Sequence, residues 1–366
     1  SFADVQMIAL GCSILGAGGG GNTILAMERI RGMFEEGKHK MRIVSPSSLD
    51  QERDNINVIA YFGAPTVATE MLGRGDEMHR AAAATEKQSG KKTTAYMSAE
   101  VGGTNALEPI FCAAKDDLPC VDADGMGRAF PKISLYLPFF VEGTRGPVSM
   151  VGTRSEPTIF SSQDLDELEA TMRQHVEATH GAVAAISLTP ITKQQTLDGA
   201  CLNTLSLSWR MGQVIHNATV DKRDPVQEIV NLNQGKLLLR GTVTARPLRD
   251  EVGAYSAGHV PIQSHDKKNQ AQVYFLNEYI ACKVDDAMAA TSPDLICILD
   301  DDTGKGIFVD ELQWVSVSLC WRCPLPRGVP QATASGRDAP EELPSHLQRY
   351  RPRADAAHAG HKLLCA

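Results

Sequence analysis

Four short apolar runs with strand character, MRIVS (41–45), INVIAYFG (56–63), TTAYMSAE (93–100) and LPCVDAD (118–124), recur along the first third of the chain with helical stretches between them. This alternation restricts the fold more than any other feature of the sequence. Short apolar strands separated by helices bury both of their faces as a largely parallel sheet covered on each side. Residues 3–15, 23–36, 67–88 and 105–116 read as the helices, and 23–36 carries Ile24, Leu25, Met27, Ile30 and Phe34 at helical spacing. The strand ends at Gly63, Glu100 and Asp122 then fall along one edge. In open α/β sheets that carboxyl edge is where ligands bind.

The pattern changes near 143–163, where GTRGPVSMVGTRSEPT is rich in Gly, Pro and polar residues and reads as a linker. Residues 164–180 follow as an amphipathic helix with an acidic first turn. GKLLLRGTVTARP, QAQVYFLNEYIACKV and DLICILDD read as strands of a β-rich second part. The expected organisation is two-domain α/β: an N-terminal α/β sheet domain (1–163), a mixed, β-rich domain (164–313) and an irregular tail (314–366). The tail is loaded with Pro, Arg, His and Ala, so it buries too little to offset its ordering entropy.

With 366 residues, each domain is large enough to bury its own core. A formal net charge of −8 argues against nucleic acid, which requires a basic patch. No run reaches the length of a membrane span. The apolar N-terminus is interrupted by Asp4 without a preceding basic region, so it does not read as a secretory signal. The nine cysteines are scattered, mostly in apolar surroundings, which fits a reducing compartment and a cytoplasmic location. Cys320 and Cys323 form a lone CxxC without a second pair, a weak signal for metal or redox chemistry.

Several polar segments could carry chemistry. LGAGGGGN (15–22) offers backbone N–H groups of Gly18, Gly19, Gly20 and Gly21, with Asn22, to a polar ligand group or an anion. A dinucleotide fingerprint needs a strand before such a loop, and the preceding segment reads as helical. The plain alternative is a tight helix–helix turn. SAEVGGTN (98–105) places Glu100 at a strand end ahead of two glycines. In VDADGMGRAFP (121–131), Asp122 and Asp124 share a strand face, while Arg128 follows within reach. Two close carboxylates bind a cation or raise one another's pKa, and the guanidinium pairs with one of them or orients an anionic substrate. The bland reading is a solvated loop salt bridge. Asn277 and Glu278 interrupt an apolar strand and need partners or a cleft. His259 and His265 lie in a loop-like stretch.

LGAGGGGN, GAPTVATEML, EVGGTNALEPI, LPCVDADGMGRAFP and FLNEYIACKV…SPDLICILDDDTG, in this order, closely resemble the S-methyl thiohydantoin desulfurase family, which is often encoded beside hydantoinase-type proteins. The resemblance spans residues 5–313 and departs after DELQ, where the Pro/Arg-rich tail begins. It implies a hydrolase that removes sulfur, as a thiol, from a thiohydantoin-type ring, assisted by a divalent metal, zinc in first place. Carried over by motif, Glu100, Asp122, Asp124 and Arg128 are the implied catalytic residues, with Asp122 and Asp124 as metal ligands. Gly18–Gly21, Asn22, Asn105, Glu70 and Glu278 are the implied substrate-binding groups. The implied partners are a small hydantoin-like molecule, and a second copy of the chain or a hydantoinase-type protein. Two alternatives stay open: a non-catalytic subunit of a hydantoinase- or oxoprolinase-type enzyme, and a dinucleotide oxidoreductase resting on the glycine loop alone.

Overall fold

The computed structural model describes residues 1–37, 40–63, 73–180, 183–252, 255–312 and 316–322. Two eight-stranded sheets organise it. In the first, β1 (Ile43–Val44), β4 (Cys120–Asp124), β3 (Ala95–Ser98) and β2 (Ile56–Gly63) run parallel in that spatial order. Antiparallel strands complete it: β7 (Val183–Ile191) beside β2, then β5 (Val148–Val151) and β6 (Thr158–Phe160), with β8 (Cys201–Leu202) on β4. The sheet is therefore mixed rather than largely parallel. The stretch read as a linker at 143–163 contains β5 and β6. Their side chains alternate too briefly to register as strands, and pairing to the long β7 holds them in place. β7 and β8, which follow the expected junction at 163/164, pair into the first sheet.

Strand alternation sorts the apolar side chains onto two faces. Val58, Ala60, Met97, Val121 and Ala123 pack on one side with Tyr136, Met150 and helix α5 (Leu165–His180). Ile59, Tyr96 and Cys120 pack on the other against α1 (Phe2–Leu15), α2 (Ile24–Glu36), α4 (Gly103–Lys115) and α7 (Thr204–Val220). Helix α3 (Glu77–Ser89) lies over β5 and β7; the residues 67–72 of its expected span lie outside the described residues. Of two shorter helices, α6 (Lys193–Gly199) packs on the turns Pro46–Ser48 and Leu137–Phe140 of the first half, and α8 (Pro225–Leu232) packs on α7 and on β9 and β16 of the second sheet.

The second sheet is antiparallel throughout, in the order β14 (Ala287–Thr291), β13 (Glu278–Val284), β12 (Gln270–Leu276), β11 (Tyr255–Ser264), β9 (Lys236–Val243), β16 (Ser316–Arg322) and β15 (Leu295–Asp300), with β10 (Leu248–Val252) on β11. Two expectations change here. The tail is not irregular from its start: SVSLCWR (Ser316–Arg322) supplies β16, inserted between β9 and β15, with Val317, Ser318, Leu319 and Cys320 all buried. Beyond Arg322 the tail lies outside the described residues. The stretch around His259 is strand β11, not loop, and its imidazole packs on Tyr274.

The two sheets share a core. Past the exposed Asp4 and Gln6 of its first turns, helix α1 is apolar around its circumference and carries Cys12, Ile14 and Leu15 into one cluster with Leu295, Cys297 and Leu299 of β15. A helix that is apolar all round must be buried on all sides, and α1 is wedged between the two halves.

Candidate active site

A cavity of about 330 Å³ opens at the carboxyl end of β2 and β3, where the second sheet reaches over the first. Ala60, Phe62, Met126, Ile133 and Ala184 form its apolar wall, and Glu100, Asn105, Glu108, Arg29, Arg173 and Glu278 supply its polar groups. A mainly apolar cavity with a few convergent polar groups is the usual form of a small-molecule site.

Glu100 sits just past β3, and Ser98 holds its backbone by accepting from the Glu100 N–H at 3.2 Å. Its side chain is fixed on both oxygens: Asn105 Nδ2 donates to Oε1 at 2.8 Å and the Phe130 N–H to Oε2 at 3.0 Å. Burial outweighs these donors and pushes its carboxyl up to about 7, with the nearby Asp124 adding to the rise. Asn105 is itself clamped, accepting from the Tyr61 N–H at 2.8 Å.

Glu278 comes from the other sheet. The run QAQVYFLNEYIACKV is a hairpin and not one strand: the chain reverses at Asn277, which takes a left-handed φ of 58°, so that Leu276 pairs with Glu278. Asn277 ties the turn through a 2.7 Å bond from its N–H to the Ser256 carbonyl and accepts from Ser256 N–H at 2.9 Å. Glu278 is 3% exposed and its Oε2 has no hydrogen-bond partner among the described residues. Burial, followed by the charge of Glu100, raises its pKa well above the normal carboxylate range.

The glycine loop makes this meeting of halves possible. Gly18, Gly20 and Gly21 have φ of 87°, 76° and 82°, a region open to glycine at little cost. A Cβ on Gly18 would stand 2.7 Å from the Tyr279 ring, and one on Gly19 would overlap the Glu278 carboxylate. Only Gly20, Gly21 and Asn22 reach the cavity. The carbonyls of Gly21 and Gly20 accept the first N–H groups of α4, from Thr104 at 2.9 Å and Asn105 at 3.2 Å. The loop thus caps a helix rather than cradling an anion at one. A helix, α1, precedes it, so the strand that a dinucleotide fingerprint demands is absent.

The DADGMGR segment has a different task from the one its charges suggested. Asp122 and Asp124 do share a face of β4, but neither lines the cavity. Asp122 caps α7, accepting from Ser206 N–H at 3.0 Å and Ser206 Oγ at 2.5 Å. Asp124 Oδ2 gathers three backbone N–H groups, those of Val101 at 3.0 Å, Met126 at 3.0 Å and Gly127 at 2.7 Å, which fixes the turn after β4 against the one after β3. Burial nevertheless raises the Asp124 carboxyl to about 7, against these bonds and the Thr204 side chain. Arg128 is 2% exposed and is spent on carbonyls: Nε donates to Ala129 at 3.0 Å, Nη2 to Tyr279 at 2.8 Å, and Nη1 to Asp294. It pins the second domain to the first rather than touching a ligand. Glu70 lies outside the described residues.

The implied metal does not fit these residues. Both oxygens of Asp122 and one of Asp124 are occupied by hydrogen-bond donors. Among the described residues no group of three His, Cys, Asp or Glu side chains converges as metal ligands, and zinc favours nitrogen and sulfur. His259 and His265 stay in the second sheet, the latter beside Asp301.

Sequence reasoning passed over Arg29, Glu108 and Arg173. Arg173, on α5, donates from Nε to Glu169 at 2.6 Å and from Nη2 to the Pro131 carbonyl at 2.6 Å, and lies over the Phe62 ring at 4.7 Å. Arg29, on α2, pairs with Glu108. Glu108 was findable: at i, i+3 from Asn105 in a helix otherwise apolar from Ala106 to Ala114, it is a carboxylate on a face that must be buried.

Fold and site together define a two-domain protein that closes an α/β sheet edge with a β-rich domain around an acidic small-molecule cavity. The chain belongs to the S-Me-THD-like family: its N-terminal domain matches residues 3–162 and its C-terminal domain residues 162–319. A crystal structure of a protein from Chromobacterium violaceum has the same fold, with a TM-score of 0.71 at 20% identity over 88% of this chain and 90% of that one. No curated protein matches the sequence. No helix among the described residues is long and apolar enough to cross a membrane.

Proposed function

We propose that the protein hydrolyses an S-methyl thiohydantoin or a related ring, releasing the sulfur as a thiol and leaving a hydantoin, with Glu100 and Glu278 as the proton-transfer pair. The observation that carries this reading is the meeting of two buried carboxyls, one from each sheet, each raised by burial and by the other or its neighbours. One carboxyl raised to about 7 and a second held well above the ordinary carboxylate range differ in proton affinity, which suits a base and an acid.

The ring carbon that bears sulfur is amidine-like and electrophilic. Ionised Glu100 takes a proton from water as the oxygen bonds to that carbon, and protonated Glu278 gives its proton to the adjacent ring nitrogen. The tetrahedral adduct then collapses: Glu278 recovers a proton from the new hydroxyl, the carbon–sulfur bond breaks, and Glu100 returns its proton to the departing methanethiolate. Both carboxyls end as they began. The Asn105 and Phe130 donors hold Glu100 in one orientation throughout, which preserves the attack geometry. No step is routed through a metal.

The test is incubation of the purified protein with an S-methyl thiohydantoin while following thiol with a disulfide reagent. Thiol appearing in proportion to enzyme supports the reading. Binding of the ring without thiol release would make the chain a non-catalytic binding protein.

A further inference from the structure

We propose that the Glu108–Arg29 pair is a recognition subsite for the N–H and carbonyl edge of a cyclic imide or amide, and that it reads the ring nitrogen lying between the two carbonyls of a hydantoin. The choice of ring rests on the function proposed above. The subsite itself rests on three observations. Glu108 is completely buried, lines the cavity, and has one oxygen, Oε2, without a hydrogen-bond partner among the described residues. Its other oxygen is engaged by Arg29, which also lines the cavity and faces the Tyr61 hydroxyl. Asn105 and Glu108 stand one helical turn apart on α4, so the subsite lies within about 5–6 Å of the groups that hold Glu100.

A buried carboxylate oxygen without a donor is costly, and an apolar cavity offers water few partners to bridge it. A ligand that brings an N–H into the cavity relieves that cost. The guanidinium beside it is a donor, so the pair presents an acceptor and a donor side by side. The complementary pattern is a donor next to an acceptor, which is the cis-amide edge of a five-membered lactam or imide ring. The distance of one helical turn is close to the width of such a ring. With its N–H on Glu108 and its carbonyl toward Arg29, the ring's far side is turned to Glu100. Glu108 is on this reading a specificity-determining residue and takes no part in proton transfer.

The experiment is binding of hydantoin, 1-methylhydantoin and 3-methylhydantoin to wild-type protein and to Glu108→Gln, by calorimetry, with the fold of the variant checked by circular dichroism. Wild type should bind 3-methylhydantoin at least tenfold more weakly than hydantoin and 1-methylhydantoin within threefold of it. In Glu108→Gln, Arg29 claims the amide oxygen and the NH2 is forced toward the ligand, donor against donor. The variant should lose its preference for hydantoin over the 3-methyl compound. Equal binding of all three rings by wild type, or no binding of hydantoin at millimolar concentration, would overturn the subsite. So would a folded variant that keeps the full preference. Should the variant not fold, the wild-type series decides alone. Thiol release from an S-methyl thiohydantoin is measured in parallel: discrimination without release leaves the subsite standing and removes the hydrolytic reading, and release without discrimination does the reverse.

Discussion

Glu100 shows how position changes a common residue. A carboxyl that ionises near 4.5 when exposed is carried to about 7 by enclosure, despite two hydrogen bonds that favour its charge. Glu100→Gln keeps the shape but accepts from only one of the two donors and cannot take a proton, so turnover should fall by 10²–10⁴-fold, measured as thiol release. Stability should respond to pH in a defined direction. A carboxyl whose folded pKa lies above its unfolded value binds more protons in the native state between the two, so stability declines as pH rises from about 4.5 through 7. The glutamine variant should lack that part of the decline, roughly 3 kcal/mol at most, in chemical denaturation run at pH 5 and pH 8. Asp124 contributes in the same direction and remains in both proteins. Because the donors available do not suit a metal, dialysis against a chelator should leave turnover within twofold; a loss restored by zinc alone would contradict that assignment.

Elements decide what the charged motifs mean. The sequence set Glu100 and Asp122 at the ends of neighbouring strands; Glu100 lies two residues past β3, whereas Asp122 is inside β4, which runs on to Asp124. The sequence did not show which way the side chains would be used. Asp122 and Asp124 look like a ligand pair when only β4 is considered, yet α7, some eighty residues later, presents its open N–H groups to that same face. A helix start that distant in sequence leaves no trace near VDAD. Asp122→Ala should therefore act as loss of a cap, destabilising by about 1–2 kcal/mol in thermal or denaturant unfolding, with thiol release per folded molecule within threefold of wild type. Arg29 escaped notice for a related reason: it lies on an amphipathic helix where a charged residue ordinarily marks the solvent face. The short strands β5, β6 and β16 were illegible because their pairing partners, and not their own length, define them.

Across the whole molecule, Arg128 joins what the two sheets would otherwise leave separate. Its guanidinium binds carbonyls of Tyr279 and Asp294 from within the first domain, and the adjacent glycines let Tyr279 and Glu278 approach. Arg128→Met should remove these ties and the bond to Ala129, so that three carbonyls lose this donor, at about 1–3 kcal/mol for each that is buried. Denaturant unfolding should then broaden or split into two transitions, followed by tryptophan fluorescence and circular dichroism together. A single sharp transition at the wild-type midpoint would show that the interface does not depend on this residue.

Glu278 is the tip of a hairpin in one half, whereas Glu100 follows a strand in the other. In the proposed reaction acid and base thus come from two separate pieces of chain. Expressed apart, each fragment should be inert, and on remixing the reaction should return only as fast as the fragments find one another, so that the chemistry itself reports their reunion.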